Sequence, residues 1–199
     1  ISCKKEKYNP PQKKVSLRIA EESKKEQPPQ APLSSNEAWD FDSLPLRSLP
    51  PGWHIETSEK VAFPATWKIT EDISAPSGKH VLTMVAVNHT SKTAYNLCWT
   101  NRIAAGNAIY ELHFKAEKGR IAQGGGFIWH VQDKQNYYAV GFNPLEKKLR
   151  FFHLLDGRKT NLLETIVTLP ENQWHTLKVV QKGESFAVSL NNKKYLEAT

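Results

Sequence analysis

Cysteine and methionine are scarce in this chain, with two cysteines and one methionine in 199 residues. Two cysteines cannot build a disulfide framework, and Cys3 and Cys98 stand in such different surroundings that no bridge between them is expected. No apolar run approaches the roughly 18 residues of a membrane-spanning helix. Helical periodicity is nearly absent after residue 36, and no repeat of about 20 to 50 residues is visible, which sets solenoids and propellers aside. The seven histidines form no His-x-His or His-x-x-x-His pair, so they offer no metal site. No cofactor motif stands out. Gly124-Gly125-Gly126 is followed by neither a helix nor a Lys-Ser/Thr pair, so it is no phosphate cradle; it suits a backbone that bends or is closely approached at a sheet edge.

The formal net charge is +7. Residues 1–30 carry Lys4, Lys5, Lys7, Lys13, Lys14, Arg18, Lys24 and Lys25 against Glu6, Glu21, Glu22 and Glu26, a balance of +4. More than half of the excess therefore lies in that stretch and the remainder is mildly basic. Without zinc-finger spacing or an RNA-binding aromatic signature, no nucleic-acid partner is expected.

What the sequence has is alternation. Residues 126–131, 137–143 and 149–154 are three aromatic and β-branched runs of period 2, separated by Asp, Asn, Lys and Pro, which predicts a three-stranded antiparallel meander. Successive side chains point to opposite faces, so Phe127, Trp129, Val131, Tyr138, Val140, Phe142, Leu149 and Phe151 are expected in the core. The opposite face carries Ile128, His130, Tyr137, Ala139, Gly141, Asn143, Arg150 and Phe152, and reads as a surface. Further strands are predicted at 53–57, 66–70, 81–87, 94–99, 108–116, 159–168, 174–181, 186–190 and 193–197, with tight turns at Asp156-Gly157 and Asn191-Asn192. So many short strands make an all-β antiparallel sandwich or jelly roll.

Residues 1–36 are polar, charged and broken by Pro10, Pro11, Pro28, Pro29 and Pro32, a composition that does not fold alone and serves as a disordered spacer, with a weak helix possible over 15–25. Residues 37–199 form the domain, opening at Trp39-Asp40-Phe41-Asp42. Cys98 reads as a buried, inert thiol in a strand. Cys3 stands where the acylated cysteine of a mature bacterial lipoprotein stands, ahead of its tether; the other reading is a chance cysteine in a disordered end.

The order Asp40-Phe41-Asp42, Pro51-Gly52-Trp53, Tyr95-Asn96-Leu97, Gln123-Gly124-Gly125-Gly126, Trp129, Gln132-Asp133, Asn136-Tyr137-Tyr138, Asn143-Pro144-Leu145-Glu146 and Trp174-His175 resembles a group of secreted bacterial concanavalin A-like domains. That group is related to the keto-disaccharide hydrolase family and, more distantly, to laminin-G-like and legume-lectin sandwiches. The resemblance spans about residues 39–199 and implies a jelly roll of two antiparallel sheets, one concave, with glycans as the ligand class. Relatives have an Asp before the Gln-Gly-Gly-Gly segment, an Arg after the Trp of the next strand and another ahead of the Asn-Pro-Leu-Glu turn. Those positions here are Ala122, His130 and Gly141, a site weakened or retuned. The relatives also continue past Leu190-Asn191 through a closing strand pair. The expectation is therefore a domain lacking its last strands, with the strand that carries Trp39 and Phe41 at an open edge.

A glycosidase uses two carboxyl groups, about 5 to 5.5 Å apart for retention or roughly 6.5 to 9.5 Å for inversion. The Glu-x-Asp-x-Glu run of glucanases on this fold is missing. Asp40 and Asp42 have i, i+2 spacing but sit at the domain entrance, where acids cap a strand or hold an ion; a structural calcium on Asp42 and backbone carbonyls is one option. Asp133 and Glu146 fall in turns at opposite ends of the middle strand, over about 20 Å apart at roughly 3.3 Å per residue, and cannot share one bond. Asp133 is either a hairpin residue or a ligand contact. No catalytic residue is assigned. His130, Tyr137, Asn143, Arg150, Phe152, Asp133 and Gln123 are the candidate ligand contacts: aromatic faces stack on sugar rings while amide and guanidinium groups pair with hydroxyls, although an ordinary solvated face is the plain alternative. The sequence thus points to a non-catalytic glycan-binding module of a cell-envelope lipoprotein, periplasmic or surface-exposed, touching the membrane only through a lipid on Cys3. The rival is a glycoside hydrolase acting on a keto-disaccharide or similar glycan, and a convergent acid pair would separate the two.

Overall fold

The computed structural model describes residues 37–59, 63–88, 91–101, 106–119 and 122–199. Cys3, the tether and the weak helix over 15–25 lie outside them. The described residues are all-β: β1 (His54–Thr57), β2 (Thr66–Glu71), β3 (His80–Ala86), β4 (Asn96–Trp99), β5 (Ala108–Lys115), β6 (Gly125–Asp133), β7 (Asn136–Asn143), β8 (Lys148–Leu155), β9 (Arg158–Ile166), β10 (Trp174–Lys182), β11 (Ser185–Leu190) and β12 (Lys193–Ala198).

Two four-stranded antiparallel sheets, in the orders β6-β7-β8-β9 and β12-β11-β10-β5, make the sandwich, and two-stranded sheets β1-β4 and β2-β3 are added to it. The meander thus gains β9 as a fourth strand. Its inner face packs Trp129, Val140, Phe142, Leu149 and Phe151 against Phe114, Leu177, Val179, Phe186, Val188 and Leu190 of the facing sheet. Leu149, Leu177 and Val179 are wholly buried, each contributing about 1.5–3 kcal/mol by leaving water. The hairpin turns are built as their residues suggest, with φ of 50° and 73° at Asp156 and Gly157 and of 49° and 64° at Asn191 and Asn192, the doubly left-handed geometry that matches strand twist.

Three expectations are corrected. Val131 does not join Trp129 on the inner face. After Trp129↔Tyr138 the next pair is Asp133↔Asn136, so residues 130–132 of β6 oppose only residue 137 of β7, and His130 takes a φ of 50°. This bulge turns Val131 to the outer face, where it packs against the cluster of Leu97, Tyr137, Ala139, Phe152 and Leu154. Trp39 and Phe41 lie on no strand: Phe41 has a φ of 62°, and Leu44 N donates to Phe41 O in a turn. Their rings instead stand edge-on to Trp53, 5.7 and 5.8 Å between centroids. Cys98 is on β4 but half-buried; burial still pushes its thiol up to about 12, which keeps it unreactive.

The β2-β3 pair is tied down by charge. Lys115 at the end of β5 bonds the Asp72 carboxylate, lies 3.0 Å from Glu117 Oε1 and sits 5.6 Å from the ring of Trp174. Ser74 Oγ donates to Asp72 Oδ1 and accepts from Trp174 Nε1. The bond from Lys115 and those from Ser74 hold the Asp72 carboxyl at about 2, against an ordinary 3.8. A depressed carboxyl adds stability above its unfolded-state value and loses it as pH falls through the folded one. The stability gap between the native chain and Asp72→Asn, measured by urea midpoints, should therefore be constant above about pH 5 and shrink steadily towards pH 2. A gap that does not change with pH would mean that Asp72 is not ionised in this tie.

Candidate functional site

The outer face of sheet β6-β7-β8-β9 divides into a covered half and an open half. Over the covered half lies β1-β4, whose Leu97 and Trp99, with Tyr95 just ahead of β4, pack on Tyr137, Ala139, Phe152 and Leu154. Tyr95 stacks on Phe152 at 5.2 Å, and Lys159 Nζ closes the stack, donating to Tyr95 Oη at 2.6 Å and lying 4.3 Å from the Phe152 ring centre. Tyr137 and Phe152, expected as sugar platforms, are thus 2% and 5% exposed. They form a second small core, a correction to the reading of this face as surface throughout. Alternation with polar residues cannot distinguish a solvated face from one that another sheet segment covers. The Tyr137 hydroxyl has no partner among the described residues, and burial raises its pKa.

His130 and Asp133 belong to the far end of β6. His130 reaches across the sandwich, its Nε2 paired with Gln181 Oε1 at 3.0 Å. Asp133 closes the β6-β7 turn, accepting from Gln135 N at 2.6 Å and from Asn136 Nδ2 at 3.0 Å. Asp42, the calcium option, spends Oδ1 on the amides of Lys79 and His80, both at 2.8 Å, and its Oδ2 is packed so closely on Gly78 that an added Cβ there would lie 1.5 Å away. The role shown for Asp42 is that of a cap on the amides of Lys79 and His80.

The open half begins one row beyond Ala139 and Phe152. In register across four strands stand Gly126↔Gly141, Gly141↔Arg150 and Arg150↔Glu164. This row has two bare positions followed by an ion pair. Gly126 and Glu164 are exposed, and Gly141 and Arg150 half-buried. Arg150 bridges two carboxylates: Nη1 bonds Glu146 Oε2, and Nε donates to Glu164 Oε2 at 2.6 Å. Lys148 Nζ lies 2.7 Å from Glu164 Oε1, and Asn143 Nδ2 donates to Glu146 Oε2 at 3.2 Å. Asn143 Oδ1 accepts from Leu145 N at 3.2 Å and from Gln123 N at 3.4 Å. Of the predicted contacts, then, Arg150 and Asn143 come together here, while Gln123 reaches them only through its backbone N–H; its side chain is buried, 6% exposed, with Nε2 donating to Glu171 Oε2 at 3.5 Å.

Charge decides what this cluster can do. The bond from Arg150 lowers the Glu146 carboxyl below its usual value, and those from Lys148 and Arg150 lower Glu164. Both are therefore ionised at neutral pH, and the guanidinium between them is held more firmly in its charged form. Arg150 Nη2 makes no bond among the described residues. The cluster thus offers carboxylate acceptors and a free guanidinium edge side by side, with the two positive and two negative charges cancelling. Glu146 stands in the turn between β7 and β8, as its sequence predicts, while Glu164 comes from β9 with no local sequence signal.

These features define a class, the antiparallel jelly-roll β-sandwich with a polar, open half on one sheet. A solved structure with this fold is the carbohydrate-binding module CBM66 from Bacillus subtilis, which matches with a TM-score of 0.50 and 17% identity over 74% of this chain and 78% of that one. At that identity the likeness is one of fold. No protein-family model and no curated protein matches the sequence.

Proposed function

We propose that residues 37–199 form a non-catalytic glycan-binding module whose ligand lies on the open half of sheet β6-β7-β8-β9. The observation that carries this is the row Gly126, Gly141, Arg150 and Glu164. Over it a sugar ring can lie flat on bare backbone while neighbouring hydroxyls donate to Glu146 and Glu164 and accept from Arg150 Nη2. Carboxylate and guanidinium hydrogen bonds are the strong kind, and their paired geometry suits vicinal hydroxyls. The fold shared with a carbohydrate-binding module supports the same reading. Attachment to a bacterial cell envelope through a lipid on Cys3 is the finer part of the proposal; it rests on that cysteine and on the charged, Pro- and Gln-rich stretch behind it.

The hydrolase reading has one observation in its favour, the convergence of Glu146 and Glu164 on Arg150. Glycoside hydrolysis needs one carboxyl that keeps its proton near neutral pH, which calls for a raised pKa. Both of these are lowered, which favours binding without turnover.

The test is a thermal-shift and calorimetric screen with glucose, galactose, mannose, fructose, N-acetylglucosamine, cellobiose, maltose and sucrose, alongside chromogenic glycosides. At least one sugar should raise Tm and bind saturably, and no chromophore should be released. Failure of every sugar would leave a structural role; turnover abolished by Glu146→Gln or Glu164→Gln would establish the hydrolase.

A further inference from the structure

The glycines around the open row differ in why they are glycines. A Cβ at Gly124 would lie 1.7 Å from Phe142 O, and one at Gly126 would lie 1.9 Å from Val140 O, so the close approach of β6 to β7 forbids any side chain there. Gly141 is under no such constraint. A Cβ at 141 would meet nothing nearer than Gly125 O at 3.6 Å, an ordinary contact, and Gly141 is not among the residues with positive φ.

Glycine inside a strand weakens it, because it has the most conformational freedom to lose and no side chain to pack. The fold thus gains nothing from glycine at 141, in the middle of a central strand where alanine or a β-branched residue would serve better. The position lies between bare Gly126 on one side and Arg150 on the other. A side chain here would project from the outer face between Gly126 and the guanidinium of Arg150.

We propose that Gly141 is a specificity-determining position, its missing side chain admitting the ligand ring against the backbone beside Arg150. The inference rests on the glycan reading of this face and goes beyond it in naming what shapes the seat. A methyl group at 141 lifts the ring off the sheet and away from Arg150 Nη2 and the two carboxylates. A threonine fills the seat.

The test compares the native chain with Gly141→Ala and Gly141→Thr, using whichever sugar of the named panel raises the native Tm most. Each variant should melt at the native temperature or roughly 1 to 4 °C above it. Gly141→Ala should bind that sugar roughly 10-fold to 100-fold more weakly, and Gly141→Thr should show no binding. Native-like affinity in both variants would overturn the role of Gly141 while leaving the glycan reading standing. A fall in Tm together with the loss of binding would show that the glycine serves the fold and would overturn the proposal. A native chain that binds none of the sugars would overturn both readings at once.

Discussion

Replacing Gly126 by alanine is expected to destabilise the domain by about 3 kcal/mol or more, because the new Cβ would fall 1.9 Å from the Val140 carbonyl oxygen and a backbone atom cannot swing aside. For a domain of this size that corresponds to a drop in Tm of roughly 6 to 12 °C. The chain would have to part β6 from β7 at the pair Gly126↔Gly141, which is also the floor of the open half. Thermal and urea denaturation check the result directly. Gly141→Ala is the internal comparison, since it makes the same chemical change one strand away and has room for it. Equal stability in the two variants would mean that β6 does not approach β7 as closely as described.

Arg150→Ala should nearly abolish glycan binding and cost little stability. Its guanidinium touches both Glu146 and Glu164, and removing it leaves two ionised carboxylates, of which Glu164 keeps its pair with Lys148. Its side chain is 20% exposed and those of its partners 45% and 33%, so solvent screens the pairs and the loss of fold stability should be about 1 kcal/mol. Losing a charge-assisted contact to the ligand costs about 1.5–3 kcal/mol, roughly 10-fold to 100-fold in affinity, with more from the displaced carboxylates. Arg150→Lys should be nearly as impaired, because an ammonium cannot reach two carboxylates and still present a planar edge. With both carboxyl pKa values lowered, affinity in the native chain should be flat from about pH 8 to about pH 5 and fall only at lower pH. Titration calorimetry reads all of these, and unchanged affinity in Arg150→Ala would remove Arg150 from the site.

The strands were legible because each alternates and ends in residues with turn chemistry. Asp156-Gly157 and Asn191-Asn192 name their turns outright, since few residues accept two consecutive left-handed conformations. What sequence could not supply was offset. The bulge at His130 reverses the facing of Val131, and nothing about a histidine announces a left-handed φ there. A second bulge, between Phe151 and Phe152, hides Glu164: counted back from the Asp156-Gly157 turn, Arg150 would pair with Leu163, and only the extra residue at 162 brings Glu164 opposite it. Tyr137 and Phe152 were misplaced for another reason. Their burial depends on where β1 and β4 settle, a contact between segments far apart in sequence that leaves no local pattern. Trp39-Asp40-Phe41-Asp42 alternates like a strand, yet the Asp42 carboxylate serves as a cap for the amides of Lys79 and His80, which suits a turn.

The most direct measurement of where a glycan sits is an amide chemical-shift titration of the 15N-labelled chain with the sugar that gives the largest thermal shift. Perturbations should concentrate on Gly124, Gly126, Gly141, Asn143, Arg150 and Glu164, with the Arg150 side-chain Nε–H among the largest, while Tyr137 and Phe152 under β1-β4 stay nearly still. Perturbations centred on Trp39, Phe41 and Trp53, or on the His130 end of the sheet, would place the site elsewhere and contradict the assignment of the open half as the glycan seat.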